Sequence, residues 1–582
     1  MKGKWFAFGC LTSVVILIIV LTSTVFTLGN ISKMGKQPTR AKLMDNSTLH
    51  FKLNGQIAEY NEFKDNFLSN PFLPNIQASH DIIEKIKMAK NDPKISSILL
   101  EPRWISAGYA TLNEIGLAIK DFQTSGKPVY AYLDMCGNKD YFLASYADEI
   151  YLNPSASAGI LLTGVGGSTL FYKDFMDKLG IEMTVLHAGQ YKGAGENYYR
   201  RGFSAPVRKN LSILYSDLYD TILSTIADNR DIERDKVDYI YDERDEVFIN
   251  QNQALDYKLV DGLSFKEEFV NSIVNNDKQL FSSNKYTVKR IVDTKSPQIA
   301  ILYLQGQIST QTKEYQQNVL SAQKAAKAID TILADDQIKG VVVRVNSPGG
   351  SALESEIIHN KLTQLRAKVP IVISMSNVAA SGGYYISTPS DYIMADPFTI
   401  TGSIGVVAMF PNVSGLKEKV GLSSDGISHG KFVNFLDFYN KPDAKLLASF
   451  EKGINTTYME FKNRVSKGRE LDLNAVEKIA QGQVWSSKSA LSNGLIDEIG
   501  TIEKALQKAA QLAALTEYIT SFYPKKVNLF EELLMEKLQV AANSDLTSKL
   551  LNNLELQKQF KQIELIKNEP IQMLYPYIEL DD

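Results

Sequence analysis

The stretch NVAASGGYYIS, residues 377–387, sets one hydroxyl, Ser381, between two alanines and two glycines. It follows the strand-like run IVISM, 371–375, and then reads on as a helix. A serine at such a handover is a favoured helix N-cap, and spacing alone supports that role. A second chemistry is open to it. Ligands of α/β sheets gather at the carboxyl ends of strands, and a serine placed there becomes a nucleophile once a base can take its proton. A companion loop, NSPGGSALE, 346–354, supplies Gly349 and Gly350 just ahead of a helix. Their backbone N–H groups can turn towards a ligand. Joined by the N–H of Gly382, they form a candidate oxyanion hole. Taken by itself, SPGG is a tight turn.

The base is harder to find. His359 lies inside the helix after SPGG and His429 lies in SHGK, and neither comes with an acid partner or a GxSxG elbow. Both read as packing or surface histidines. A lysine can serve when burial lowers its pKa from about 10.4 to roughly 7–8, which is about 4 kcal/mol of disfavoured charge. Lys192, in HAGQYKGAGENYYRRGFS, 187–204, is flanked by tyrosine and glycine and is the candidate. A solvated loop lysine is the alternative.

The elements that must position these groups are written twice. LNGQI (53–57) returns as LQGQI (304–308), and TLNE (111–114) as SALE (351–354), both with capping-box spacing. YFLASYADEIYLNP (141–154) returns as YYISTPSDYIMADP (384–397), and ALDYKLVD (254–261) as ALSNGLID (490–497). The order and the offsets, 236 to 251 residues, mark a duplicated domain rather than a solenoid. Each copy alternates buried strand-like runs such as GVVVRVN with helix-like runs such as SAQKAAKAIDTILAD. That alternation predicts an α/β fold with a parallel sheet covered by helices. By these offsets the first-copy counterpart of Ser381 is Asn138, and the second-copy counterpart of Lys192 is Val433. Each copy holds half of a serine–lysine pair, so one site built from two halves is expected. It could close within a chain or between chains.

Composition excludes several classes. The 582 residues carry 63 basic and 66 acidic side chains, net −3, with no polybasic stripe, so no nucleic acid partner is expected. Two cysteines, Cys10 in an apolar run and Cys136 in the body, supply no disulfide framework. No CxxC or HExxH occurs and the five histidines are scattered, so no metal site is expected. Trp5 to Leu28 is uncharged and strongly apolar, long enough to cross a bilayer core of about 30 Å, and lacks a small-residue cleavage exit. It is read as an uncleaved N-terminal transmembrane helix. Lys2 and Lys4 favour a cytoplasmic N-terminus, against the opposing Lys33, Lys36, Arg40 and Lys42. The expected organisation is an anchor at 1–28, a linker at 29–48, a first repeat at 49–275 and a second at 296–513. A polar, helical tail follows at 514–582, with no task assigned.

NSPGGSALE, VAASGGYYIS, ADPFTITGSIGV and GQVWSSKSALSNGLIDEIG, with GQYKGAGENYYRRGFS upstream, closely resemble the signal peptide peptidase A (protease IV) family. The likeness is to its long, duplicated, membrane-anchored form, and it runs through both repeats. It implies tandem Clp protease/crotonase-like domains, each a ββα superhelix, and a serine endopeptidase without metal or cofactor. Carried over motif by motif, Ser381 would be the nucleophile and Lys192 the general base. Gly349, Gly350 and Gly382 would supply the oxyanion hole. The family implies cleaved signal peptides and other apolar, unfolded peptides as substrates, and a homo-oligomer, a tetramer. It further implies a single-pass protein of the bacterial inner membrane with its body on the periplasmic side. On the residues alone, a crotonase-like acyl-CoA enzyme and a non-catalytic membrane scaffold stay open.

Overall fold

The computed structural model describes residues 43–62, 76–274, 279–287, 296–310, 319–430, 433 and 437–526, and the backbone of 571–574. The expected anchor, with most of the linker, lies outside the described residues. Among those described, no helix is long and apolar enough to cross a membrane.

The first copy runs β1 (Ser47–Ala58), α1 (Ser79–Asn91), β2 (Ile95–Ser106), α2 (Tyr109–Gln123), β3 (Val129–Leu133), α3 (Asn138–Ala144) and β4 (Glu149–Leu152). Then come β5 (Glu182–Ala188), the long α4 (Ala205–Arg230), β6 (Gly262–Leu263) and β7 (Leu280–Ser282). Its sheet has the order β6-β4-β3-β2-β1-β7, with every neighbour parallel. The second copy runs β8 (Gln298–Gln305), α5 (Ala322–Leu333), β9 (Ile338–Ser347), β10 (Gly349–Ser351), α6 (Ala352–Arg366), β11 (Ile371–Ala380), α7 (Gly382–Tyr385), β12 (Tyr392–Ala395), β13 (Ile400–Gly402) and β14 (Val406–Asn412). It continues with α8 (Ala444–Arg469), β15 (Val484–Ser486), α9 (Ile502–Leu512) and β16 (Ile519–Tyr523). Its main sheet has the order β15-β13-β11-β9-β8-β16, with β12 beside β11. The chain is thus a mixed α/β protein built on a duplicated unit.

Local chemistry explains the elements. The valines of VVVRV are fully buried in β9, as a two-sided parallel strand requires. In α5, Ala325, Ala328, Ile329 and Ile332 form one buried stripe, and the Ser321 hydroxyl accepts the Lys324 N–H at the helix start. The SALE motif caps as expected, since the Ser351 hydroxyl accepts the Glu354 N–H at 3.3 Å. TLNE does not. α2 begins two residues earlier, at Tyr109, and the Thr111 hydroxyl donates to Glu59 Oε1 at 2.6 Å instead. A buried carboxylate needing donors outcompetes the cap. The expected helical tail also departs from its reading: β16 extends the second sheet as a parallel partner of β8, just as β7 partners β1 in the first copy.

Strand pairing and one polar cluster join the copies. β5 of the first copy pairs antiparallel with β14 of the second along its whole length, Ala188 opposite Val406 and Glu182 opposite Asn412. Arg344, fully buried in β9, donates from Nε to Glu59 Oε2 at 3.0 Å and from Nη2 to Glu114 Oε2 at 2.8 Å. Its third arm reaches Ser374 Oγ at 2.9 Å. Burial pushes the Glu59 carboxyl upwards, but Arg344 and the hydroxyls of Ser376 and Thr111 outweigh it and hold the pKa below the usual range. Burial and neighbouring Glu114 push Asp396 up to about 8.

Candidate active site

β5 delivers its chain end into the second copy. The loop after it is tied down where the Tyr191 N–H donates to the Gln481 carbonyl at 2.9 Å. Gly482 makes room: a Cβ there would sit 2.6 Å from the Lys192 nitrogen, and its φ of +79° suits only glycine comfortably. Lys192 is 2% exposed. Its Nζ lies 2.8 Å from Ser381 Oγ and donates to the Ser403 carbonyl and hydroxyl at 3.0 Å each. Burial lowers the Lys192 pKa well below the ordinary lysine value, because a charged amine loses its hydration there.

Ser381 stands at the end of β11 and is fully buried. It occupies the N-cap position of α7, with its carbonyl accepting the Tyr385 N–H at 2.9 Å, yet its hydroxyl makes no cap bond. The backbone explains why. Its φ of +55° and ψ of −115° lie outside the extended range of a capping serine, and the Ser381 N–H is spent on the Gly402 carbonyl at 2.8 Å. Ser403 also has positive φ, +51°. Such residues cost on the order of 1–3 kcal/mol each and gather at functional sites.

The glycine turns meet beside this pair. A Cβ on Gly382 would lie 3.1 Å from the Gly349 Cα, and one on Gly350, whose φ is +150°, would lie 1.9 Å from the Ile308 carbonyl oxygen. The Gly349 N–H donates to Ser347 Oγ at 3.2 Å. The structure therefore gathers Ser381, Lys192, Gly349, Gly350 and Gly382 within one chain. The other candidates fall elsewhere. His359 packs edge-on against Tyr385, and burial, with nearby Arg464, lowers its pKa to about 4. His429 and Val433 are exposed. Cys136 is buried, and its thiol pKa is pushed well upwards by burial and Asp140.

Two features were missed from sequence. Ser403 lies in a motif read for resemblance only; its signal is a polar residue between Gly402 and Gly405, at a strand end. Arg344 is a charge inside an apolar strand run, which by itself implies buried carboxylate partners.

The model of "Peptidase family S49" matches residues 121–280 and 363–516, one segment in each copy. The chain belongs to peptidase family S49. It is similar to Protease 4 of Haemophilus influenzae, 33% identical over 516 residues, covering 83% of this chain and 81% of that protein. Protease 4 of Salmonella typhi is 34% identical over 458 residues, 76% of this chain and 73% of that one. Among solved structures, a ClpP1 mutant from Listeria monocytogenes overlaps 37% of this chain and 95% of its own, at 14% identity and a TM-score of 0.24. As an S49 member the chain is a serine-type peptidase, which sets aside the acyl-CoA enzyme and the scaffold.

Proposed function

We propose that this S49 peptidase cuts peptide bonds with Ser381 as nucleophile and Lys192 as general base. The observation that carries the reading is the 2.8 Å contact between Lys192 Nζ and Ser381 Oγ in a fully buried setting. Burial keeps the amine neutral, so it accepts the hydroxyl proton as Oγ bonds to the substrate carbonyl carbon. The negative charge passes to the carbonyl oxygen, where the N–H of Gly382 and one from the Gly349–Gly350 turn stabilise it. As the intermediate collapses, the C–N bond breaks and the Lys192 ammonium protonates the leaving amine. Water, deprotonated by the same lysine, then releases the acyl group. Ser403 holds the amine in place through both acceptors.

The substrates in this reading are signal peptides and other apolar, unfolded chains. A buried dyad admits only an extended backbone, and each apolar side chain buried in the cleft adds roughly 1.5–3 kcal/mol. The Trp5–Leu28 run would hold the body at the bilayer, on the periplasmic face of a bacterial inner membrane. Each copy is read as a Clp protease/crotonase-like ββα unit, and the chains as assembling into a tetramer. The exposed Leu170, Phe175, Leu422 and Ile427 favour such association. Fluorophosphonate labelling followed by peptide mapping tests the chemistry. Label is expected on Ser381 in the native chain and strongly reduced in Lys192→Ala; label on another residue would refute the dyad.

A further inference from the structure

β9 and β11 run in step until Val345 stands opposite Met375, and they resume with Ser347 opposite Ala379. Asn346 alone therefore faces three residues, Ser376, Asn377 and Val378, and β11 bulges there. Before the bulge β11 pairs with β12, and from Val378 onwards it pairs with β13, which runs directly into Ser403. The bulge hands the strand to a new neighbour just ahead of Ser381.

The first copy grips this bulge from outside. Gly108, at the N-cap position of α2, has no side chain to satisfy the first N–H groups of that helix. Asn377 serves instead: its Oδ1 accepts the Thr111 N–H at 3.2 Å, and its Nδ2 donates to Thr111 Oγ1 at 2.7 Å. The seat has no slack, because a Cβ on Gly108 would lie 2.0 Å from Asn377 Oδ1. Glu59 backs it, accepting the hydroxyls of Ser376 and Thr111 on one carboxylate oxygen. We propose that the first copy, besides supplying Lys192, aims the nucleophile through this clamp, with Asn377 as a positioning residue. Asn377 stands four residues before Ser381, a lever of roughly 13 Å at about 3.3 Å per residue. A tilt of about 5° at the bulge shifts the hydroxyl by about 1 Å, and a misplacement of that size costs up to about 10²-fold. Since the Gly402 carbonyl also holds the Ser381 N–H, the expected loss is smaller. This inference rests on the dyad reading above.

Fluorophosphonate labelling of the full chain, followed to completion, separates the rate constant from the final label per chain. Asn377→Ala should lower the rate constant about tenfold and still reach the native endpoint. In peptide hydrolysis kcat should fall by about the same factor, with KM within about twofold. Gly108→Ala alters the first copy alone and pushes Asn377 off its seat, so it should match Asn377→Ala. Thr111→Val keeps the shape without the hydroxyl and should lower the rate constant about threefold. A clamp that only stabilises the fold would lower the endpoint as chains unfold and leave the rate constant of the rest unchanged. That outcome in Gly108→Ala and Thr111→Val would overturn the aiming role and leave the dyad standing. A native chain that takes no label at Ser381 would remove the dyad reading and this inference together.

Discussion

The two copies share one fold, but only at the second copy's strand end do a serine and a lysine meet, the lysine reaching in from the first copy. In the second copy Ser381 faces Lys192, and Lys192 is held by Ser403. The offset of 243 residues pairs Ser381 with Asn138, whose neighbour is Thr163. In the first copy those two bond directly: the Thr163 N–H donates to Asn138 Oδ1 at 3.0 Å, and Asn138 Nδ2 donates to Thr163 Oγ1 at 2.9 Å. No amine is needed between them. Beside this pair, the Asp140 carboxylate accepts N–H groups from Trp104 at 3.1 Å, Ile105 at 2.9 Å and Gly137 at 3.1 Å. By the same offset Asp140 corresponds to Gly383, where a Cβ would lie 2.4 Å from the Ser347 carbonyl oxygen. The first copy fills with its own carboxylate a cluster of N–H donors at the position where the proposed oxyanion hole of the second copy would hold a substrate. A duplicated site is retired by satisfying its polar groups internally, at no cost to the sheet that carried them.

The contrast can be broken at several points. Ser381→Ala should reduce kcat to background, and Lys192→Met, which keeps the bulk without the amine, should reduce it by about 10²–10⁴-fold. Both are read in a peptide hydrolysis assay. Because the dyad closes within one chain, mixing Lys192→Ala chains with Ser381→Ala chains should restore nothing, and regained turnover would mean that neighbouring chains share the site. Arg344→Met should cost about 3–5 kcal/mol in urea unfolding, since two buried carboxylates lose their cation. Its effect on activity should follow the unfolded fraction.

The pH profile sharpens the same comparison. A lysine with a lowered pKa is protonated and idle below that value and neutral above it. Turnover should therefore climb as pH rises through the lowered pKa and then level off in mild alkali. A rate falling steadily from about pH 6 to 8 would exclude a lysine base. The smallest effects belong to the first copy. Asn138→Ala should leave kcat within about twofold and cost about 0.5–1.5 kcal/mol of stability, because the buried Asn138 side chain loses its bonds to the exposed Thr163. Alkylating reagents should likewise leave turnover intact, since the buried Cys136 thiol holds its proton.

Much of this was legible in the residues. The duplication, the strand–helix alternation and the split of serine from lysine all follow from local patterns repeated at one offset. The backbone strain at Ser381 was not, because AASGGYY also spells an ordinary helix start, and only the Gly402 contact and Lys192 separate the two outcomes. Neither was the pairing of β5 with β14, since strand partners that distant in sequence leave no local periodicity. Thr111 shows the opposite error: a sound capping signal was overridden by Glu59, which reaches it from just beyond the end of β1. Ser403 was in plain view, but its task depends on a lysine more than two hundred residues earlier.

The β5–β14 seam also governs when the protein becomes dangerous to its surroundings. Lys192 and Ser381 are 189 residues apart in the chain, so a ribosome adding about 5–20 residues per second makes the amine on the order of ten to forty seconds before the hydroxyl. β14 and Gly482, which fix the lysine, are made later still. With the proposed dyad as the cutting machinery, a nascent chain is harmless through most of its synthesis, and the ability to cut arises only when the long-range seam zips shut, among the last and slowest contacts to form.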